Sequence, residues 1–238
     1  MNVSMDEDVR TFLNSRLGRD IKDAYKKCSN LAYLDMCRTI RFHDRLKELK
    51  CKPKTLIYSI KNEKKKLSDS VAILIERQVE AWLSGVYIDQ KIFDKNHKSL
   101  CEAIIKVYKD TTEQKNISGT PHSLSYGQAQ KWVNMSLKNL YIFDDSNSAG
   151  MGMHKLLPFM HIPIDNVVLD IVTDKRACYI DPPSMEGYGL KKNSSSWSRW
   201  SEKEYLSFRK LLNDRIDALF PGENPIRWEL KHWSTVEQ

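Results

Sequence analysis

Hydrophobic residues recur at intervals of three and four along most of the chain, and this spacing predicts amphipathic helices. The predicted helices cover residues 7–28, 31–50, 94–110 and 202–219. Residues 67–84 are apolar on more than one face, which predicts the central, buried helix. Strand signals are limited to short runs such as 55–60 and 177–180, and strands and helices do not alternate. The expected fold class is therefore all-α, or nearly so.

Two capping-box patterns predict where later helices begin. They are Ser125 with Gln128, and Ser201 with Glu204. The first predicts a helix that runs to about Phe143, and the second begins the 202–219 helix, which Pro221 and Gly222 end. The segment 174–200 contains prolines, glycines and a run of serines, so we expect a surface loop there.

Composition and charge restrict the class of protein. The 238 residues are 41% hydrophobic and 29% charged, which is typical of a globular chain. No apolar run is long enough for a membrane span, and the acidic amino terminus lacks the pattern of a signal peptide. The five cysteines form no CxxC pair, so a reducing, cytoplasmic location is expected.

The chain is basic, with a formal net charge of +7, and this favours a polyanionic partner. Residues 44–66 concentrate that charge, since they contain nine lysines and arginines against three acidic residues, a net +6. This stretch is either a solvated face or a phosphate contact.

The candidate chemistry lies in residues 124–172. Lys131, Asn134 and Lys138 share one face of the predicted helix after Ser125. A second helix is expected to begin at Pro163, which places Asp165 in its first turn. Taken singly, Lys131 is interpreted as a solvated lysine and Asp165 as a helix cap.

Taken together, the segment around Lys131 and the segment that begins at Pro163 resemble the helix-hairpin-helix DNA glycosylase superfamily. Gly127 and Ala129 fall where that family has its two hairpin glycines, and Lys131 falls at the position of its nucleophilic lysine. The Pro163-Ile164-Asp165 sequence matches the family's aspartate motif. The 34-residue step from Lys131 to Asp165 looks more like the archaeal 8-oxoguanine glycosylase branch, and residues 144–158 would accommodate the additional length.

The resemblance implies a base-flipping DNA N-glycosylase that leaves an abasic site, with or without lyase activity. It implies that Lys131 is the nucleophile and that Asp165 stabilises positive charge on the sugar. The residues expected to contact DNA are Tyr126, Gly127, Gln128, Ala129 and Lys138. The candidates for a base pocket are His161, Tyr188, Trp197 and Trp200.

The expected partner is double-stranded DNA, and the expected architecture is one monomeric, two-lobed helical unit over residues 1–238. Its catalytic segment covers about 124–172, followed by a C-terminal loop and helices over 174–238. The substrate is an oxidised purine, as in DNA repair, or a hypermodified base, as in defence against phage. No metal or cofactor is expected, because the histidines and cysteines lack ligand spacing.

Two other functions remain open: a non-catalytic DNA- or RNA-binding module, and a helical interaction protein. The enzyme hypothesis requires that the Lys131 amine and the Asp165 carboxylate converge.

Overall fold

The computed structural model describes residues 23–36, 54–85, 87–113, 124–172 and 195–233. Within these ranges the chain forms α-helices and short 3-10 turns and no strand, which confirms the all-α fold class for them. The helices are α1 (Ala24–Met36), α2 (Lys54–Ser84), α3 (Gln90–Glu113), α4 (Tyr126–Asn147), α5 (Asn166–Val172), α6 (Glu202–Leu219) and α7 (Pro225–Trp233). The 3-10 turns are Met153–Lys155 and Trp197–Arg199.

Helix α4 is the central element. It packs against α1, α3, α6 and both 3-10 turns, and 18 of its 22 residues are buried, so no side of it faces solvent before its last turn. The prediction that residues 67–84 form the central helix is wrong, since that part of α2 exposes Ile73. The hydrophobic pattern did not identify α4 as the central helix, because its buried surface includes lysines and amides, which periodicity counts as polar.

Two side chains of α4 donate hydrogen bonds to backbone carbonyls of α1. The indole Nε1 of Trp132 donates to the carbonyl oxygen of Ser29 at 3.1 Å, and the amide of Asn139 donates to the carbonyl of Cys28 at 3.3 Å. The chain is helical through residues 28–31, so the predicted break between helices 7–28 and 31–50 is wrong. The two residues at the predicted break contact neighbouring helices: the Ser29 hydroxyl accepts from the Trp132 indole on α4, and the Asn30 side chain accepts from the Ser68 hydroxyl on α2.

The other helix predictions differ mainly at their ends. Helix α2 begins at Lys54, so the apolar run 55–60 is helical and its interpretation as a strand is wrong. Helix α3 extends the predicted range 94–110 at both ends. Helix α6 has the predicted bounds, and Ser201 and Glu204 form the expected capping box.

The chain reverses direction after α4 and returns alongside it. Ser148, Gly150 and Gly152 adopt positive φ angles in this turn. The Asp144 carboxylate stabilises the turn by accepting backbone N–H bonds from Met151 at 2.7 Å and Met153 at 2.8 Å. The reversal carries residues 160–165 back along α4, which contacts them through its amide side chains.

The start of α4 is covered by residues 195–200. The Gly127 N–H donates to the carbonyl of Trp200 at 2.9 Å, and the Ser125 hydroxyl donates to the carbonyl of Ser198 at 2.7 Å. Trp197 and Trp200 are buried here, so this part of the expected surface loop 174–200 belongs to the core. Residues 173–194 lie outside the described part of the chain.

Among the described helices, none combines the length and the apolar character that a membrane crossing requires.

The close approach of residues 195–200 to the start of α4 requires a glycine at position 127. An added Cβ would lie 1.9 Å from the carbonyl oxygen of Trp197, so Gly127→Ala forces two backbone segments apart. We expect a loss of about 3 kcal/mol in the free energy of unfolding, measured by urea denaturation. Gly85→Ala is the matched control, because the nearest atom to its added Cβ lies at 3.4 Å. Equal stability of the two variants would contradict this packing.

Candidate active site

Lys131 and Asp165 form an ion pair. The Lys131 Nζ lies 2.8 Å from Oδ2 of Asp165, although the two residues are 34 positions apart. Their side chains are only 8% and 18% exposed, so most of the surrounding water is excluded. The expected convergence of these two side chains is confirmed, whereas the interpretation of Lys131 as a solvated lysine is wrong.

The Asp165 carboxylate makes two contacts at once. It directly precedes α5, and its Oδ1 accepts a hydrogen bond from the Val168 N–H at 3.1 Å, as an N-cap residue does. Its Oδ2 faces Lys131. The helix begins at Asn166 rather than at the predicted Pro163, because the cap bond comes from Asp165 itself. The interpretation of Asp165 as a helix cap is therefore correct, and the same carboxylate also pairs with Lys131.

The capping box at the start of α4 places Lys131 in the second helical turn. The Ser125 hydroxyl accepts from the Gln128 N–H at 3.0 Å, and the Gln128 side chain accepts from the Ser125 N–H at the same distance. This reciprocal pair confirms the sequence prediction and fixes the first turn. The rotation of the helix then directs Lys131 toward the segment that ends in Asp165.

An aromatic ring adjoins the ion pair. The Lys131 Nζ lies 5.0 Å from the centroid of the Trp197 ring, within the range of a cation–π contact. Trp197 is 4% exposed. The ammonium group therefore lies between a carboxylate and an indole.

A second ion pair lies two turns further along α4. The Lys138 Nζ contacts the two carboxylate oxygens of Glu229, on α7, at 2.7 and 3.0 Å. The two side chains are 6% and 4% exposed. Burial raises the pKa of Glu229, and the Lys138 charge opposes that increase. Sequence reasoning missed Glu229, because nothing in its neighbourhood indicates a partner 91 residues away.

His161 lies in the core rather than at a surface. It is 3% exposed and contacts Asp94 on α3 and both Tyr205 and Arg209 on α6. Burial lowers the pKa of His161 to about 4, although the hydrogen bond to Asp94 acts in the opposite direction. Burial alone would raise the pKa of Asp94, but its hydrogen bonds, led by those from His161 and Arg209, hold that pKa well below its usual range.

The residues expected to contact DNA are buried in this conformation. Tyr126, Gln128 and Ala129 are at most 7% exposed, and residues 126–129 lie beneath residues 195–200. The Gly127 N–H donates to the Trp200 carbonyl, and the Gln128 N–H donates to the Ser125 hydroxyl. Lys138 is engaged by Glu229.

The remaining base-pocket candidates have different positions. Trp200 is fully buried, and its ring packs on Phe208 at a centroid distance of 5.1 Å. Tyr188 lies outside the described residues. The structure thus brings together Lys131, Asp165 and Trp197, and it assigns Trp200 and His161 to the core.

No group of three or more histidine, cysteine or acidic side chains in the described ranges is arranged to hold a metal ion. Comparisons of the chain with protein-family models, with curated proteins and with solved structures find no match.

The Lys138–Glu229 pair generates a stability prediction. Glu229→Gln leaves the Lys138 ammonium buried without a carboxylate, which we expect to cost about 3–5 kcal/mol of unfolding free energy. The double variant Lys138→Met with Glu229→Met removes both charges and should recover most of that loss. Chemical denaturation of the three proteins measures the difference. If the single variant were as stable as the native protein, Lys138 would not depend on this carboxylate.

His161 generates a pH prediction. Its pKa in the folded chain is about 4 against an ordinary value of 6.5, so between these values the unfolded chain binds more protons. The free energy of unfolding should therefore fall as the pH falls from 6.5 to 4, with His161 contributing about 3 kcal/mol. His161→Gln keeps polar atoms at the site and should show a shallower pH dependence in urea titrations. Identical slopes for the two proteins would exclude His161 as a source of the effect.

Proposed function

We propose that the protein is a DNA N-glycosylase, a hydrolase of N-glycosidic bonds, in which Lys131 and Asp165 act on the reacting sugar. The observation that carries the proposal is the buried pairing of these two side chains at 2.8 Å. Each comes from a motif that resembles the helix-hairpin-helix glycosylases. The two motifs lie 34 residues apart in the chain, and their side chains converge.

The chemistry follows from the charges. Cleavage of the bond between C1′ and the base leaves positive charge on the sugar and negative charge on the departing base. An ionised Asp165 in a site that excludes water stabilises the sugar cation. The Lys131 ammonium, which is hydrogen-bonded to that carboxylate, can transfer a proton to the base as the base departs.

The neutral amine left by that transfer is a nucleophile. Its attack forms a C1′–N bond as the bond from C1′ to the base breaks. Opening of the sugar ring at the C1′–O4′ bond, with transfer of an amine proton to O4′, then gives the Schiff base, and elimination of the 3′-phosphate from it is the strand cleavage of lyase activity. Attack by water at C1′ gives base release alone.

Trp197 is the base-pocket candidate that the geometry favours. Its ring lies beside Lys131, so a base stacked on that ring would bring its C1′ near the amine. Because Trp197 is buried in this conformation, entry of a nucleotide requires movement of the ring.

The proposal includes double-stranded DNA as the partner and a monomeric, two-lobed arrangement around the site. The +7 net charge and the basic stretch 44–66 support a polyanionic partner. The substrate class is an oxidised purine, or a hypermodified base of phage DNA.

The test measures base release and covalent trapping on duplexes that contain 8-oxoguanine or a hypermodified pyrimidine. Asp165→Asn should lower single-turnover base release about 100-fold or more, since it removes the charge while asparagine still caps α5. Lys131→Ala should abolish the adduct trapped with borohydride. Lys155→Ala changes an exposed lysine and serves as the control.

Full base release by Asp165→Asn across the substrate panel would refute the role of the pair. Salt-dependent DNA binding by the native protein without an abasic product on any duplex would instead identify a binding module.

A further inference from the structure

A chain of buried hydrogen bonds crosses the core beside the ion pair. Its members are at most 3% exposed, apart from Asp94 at the edge of the core, and they come from α3, α4, α6 and the segment before α5. They are Cys101, His97, Asn134, Tyr205, His161 and Asp94.

The contacts of each member connect it to the next. The Nε2 of His161 lies 2.7 Å from the Asp94 carboxylate and also contacts the Arg209 guanidinium. The Nδ1 of His161 lies 3.1 Å from the Tyr205 hydroxyl, and that hydroxyl accepts from the Asn134 amide at 3.0 Å. His97 Nε2 donates to Asn134 Oδ1 at 2.7 Å. Asn134 is therefore held from both sides.

The amide group of Asn134 also reaches the segment that leads into Asp165. Its Nδ2 lies 3.2 Å from the carbonyl oxygen of Ile162 and 2.8 Å from Oε1 of Gln130. The Gln130 Nε2 in turn lies 3.2 Å from the carbonyl oxygen of Ile164. Two α4 amides thus hold the backbone immediately before Asp165, one from the residue preceding Lys131 and one from three residues beyond it.

We propose that Asn134 and Gln130 are positioning residues that set the Asp165 carboxylate against the Lys131 amine. Apolar side chains of similar volume would fill the same space without the cost of desolvating amides. What the amides add is direction, because the Asn134 and Gln130 amide nitrogens each lie within hydrogen-bond distance of one carbonyl of the 162–164 segment. The geometric part of this proposal, that the two amides hold Asp165 against Lys131, is independent of the activity of the protein. The kinetic part, that this placement affects the reaction rate, rests on the proposed glycosylase function.

Lys131 reactivity tests the geometric part without DNA. The variants are Asn134→Leu and Gln130→Met, and the matched control is Asn139→Leu. Asn139 is a buried amide on the same helix, but it donates to Cys28 on α1 instead of the 162–164 segment. Reductive methylation followed by peptide mass spectrometry reports each lysine, with Lys138 as the internal reference.

We expect Lys131 methylation to increase about tenfold relative to Lys138 in Asn134→Leu and in Gln130→Met, because the ion pair opens more often. Asn139→Leu should leave this ratio unchanged. If neither variant changes the ratio, or if both lysines react faster to the same extent, the positioning role is wrong. Gln130→Met loses fewer hydrogen bonds and provides the answer if circular dichroism shows that Asn134→Leu does not fold.

Single-turnover base release tests the kinetic part. Displacing the carboxylate by about 1 Å should lower the rate about 100-fold in both variants, with DNA affinity retained. Asn139→Leu should retain the native rate where it is folded. Native rates in variants with altered Lys131 methylation would overturn the kinetic part. If the native protein releases no base, the glycosylase proposal fails, and the methylation ratio alone decides the positioning role.

Discussion

The burial of charged and amide side chains on helix α4 is the constraint on which the rest of the structure depends. A lysine ammonium removed from water is strongly unfavourable unless a carboxylate and further hydrogen bonds replace the water. Lys131 and Lys138 are both buried on this helix, and each meets one carboxylate. The position of α7 and the start of α5 are therefore tied to α4 by electrostatics as well as by apolar contact.

The cost of burying polar groups also explains why residues 195–200 cover the start of α4. The first N–H groups of a helix lack partners within the helix, and burial makes them costly. A carbonyl of the covering segment accepts the Gly127 N–H, while the Ser125 hydroxyl binds another carbonyl. The absence of a side chain at Gly127 permits this approach, and the approach brings the Trp197 ring to Lys131. The need for glycine at position 127 and the presence of the Trp197 ring beside Lys131 therefore have the same cause, which is the close approach of residues 195–200 to α4.

The parts that sequence reasoning predicted depend on short-range chemistry. The capping boxes at Ser125 and Ser201 involve residues three apart, so the sequence contains both partners. The convergence of Lys131 with Asp165 was expected only from a resemblance between motifs. Glu229 was missed, because its pairing with Lys138 arises from the packing of α7 and has no local pattern. Likewise, residues 126–129 were expected to contact DNA, but residues 195–200 cover them, and nothing near them in the sequence indicates that distant segment.

A buried ion pair is a weak source of stability, since well-packed apolar residues often serve as well. Around Lys131 the chain maintains two such pairs and a set of buried amides, all on the helix that apolar packing most completely surrounds. Because such pairs contribute little to stability, their burial favours a role that depends on the orientation and the charge of these side chains. A carboxylate that caps a helix through one oxygen and faces an amine through the other is held in orientation by the backbone itself. Such a group needs little rearrangement to stabilise a developing cation, and this preorganisation is what electrostatic catalysis requires.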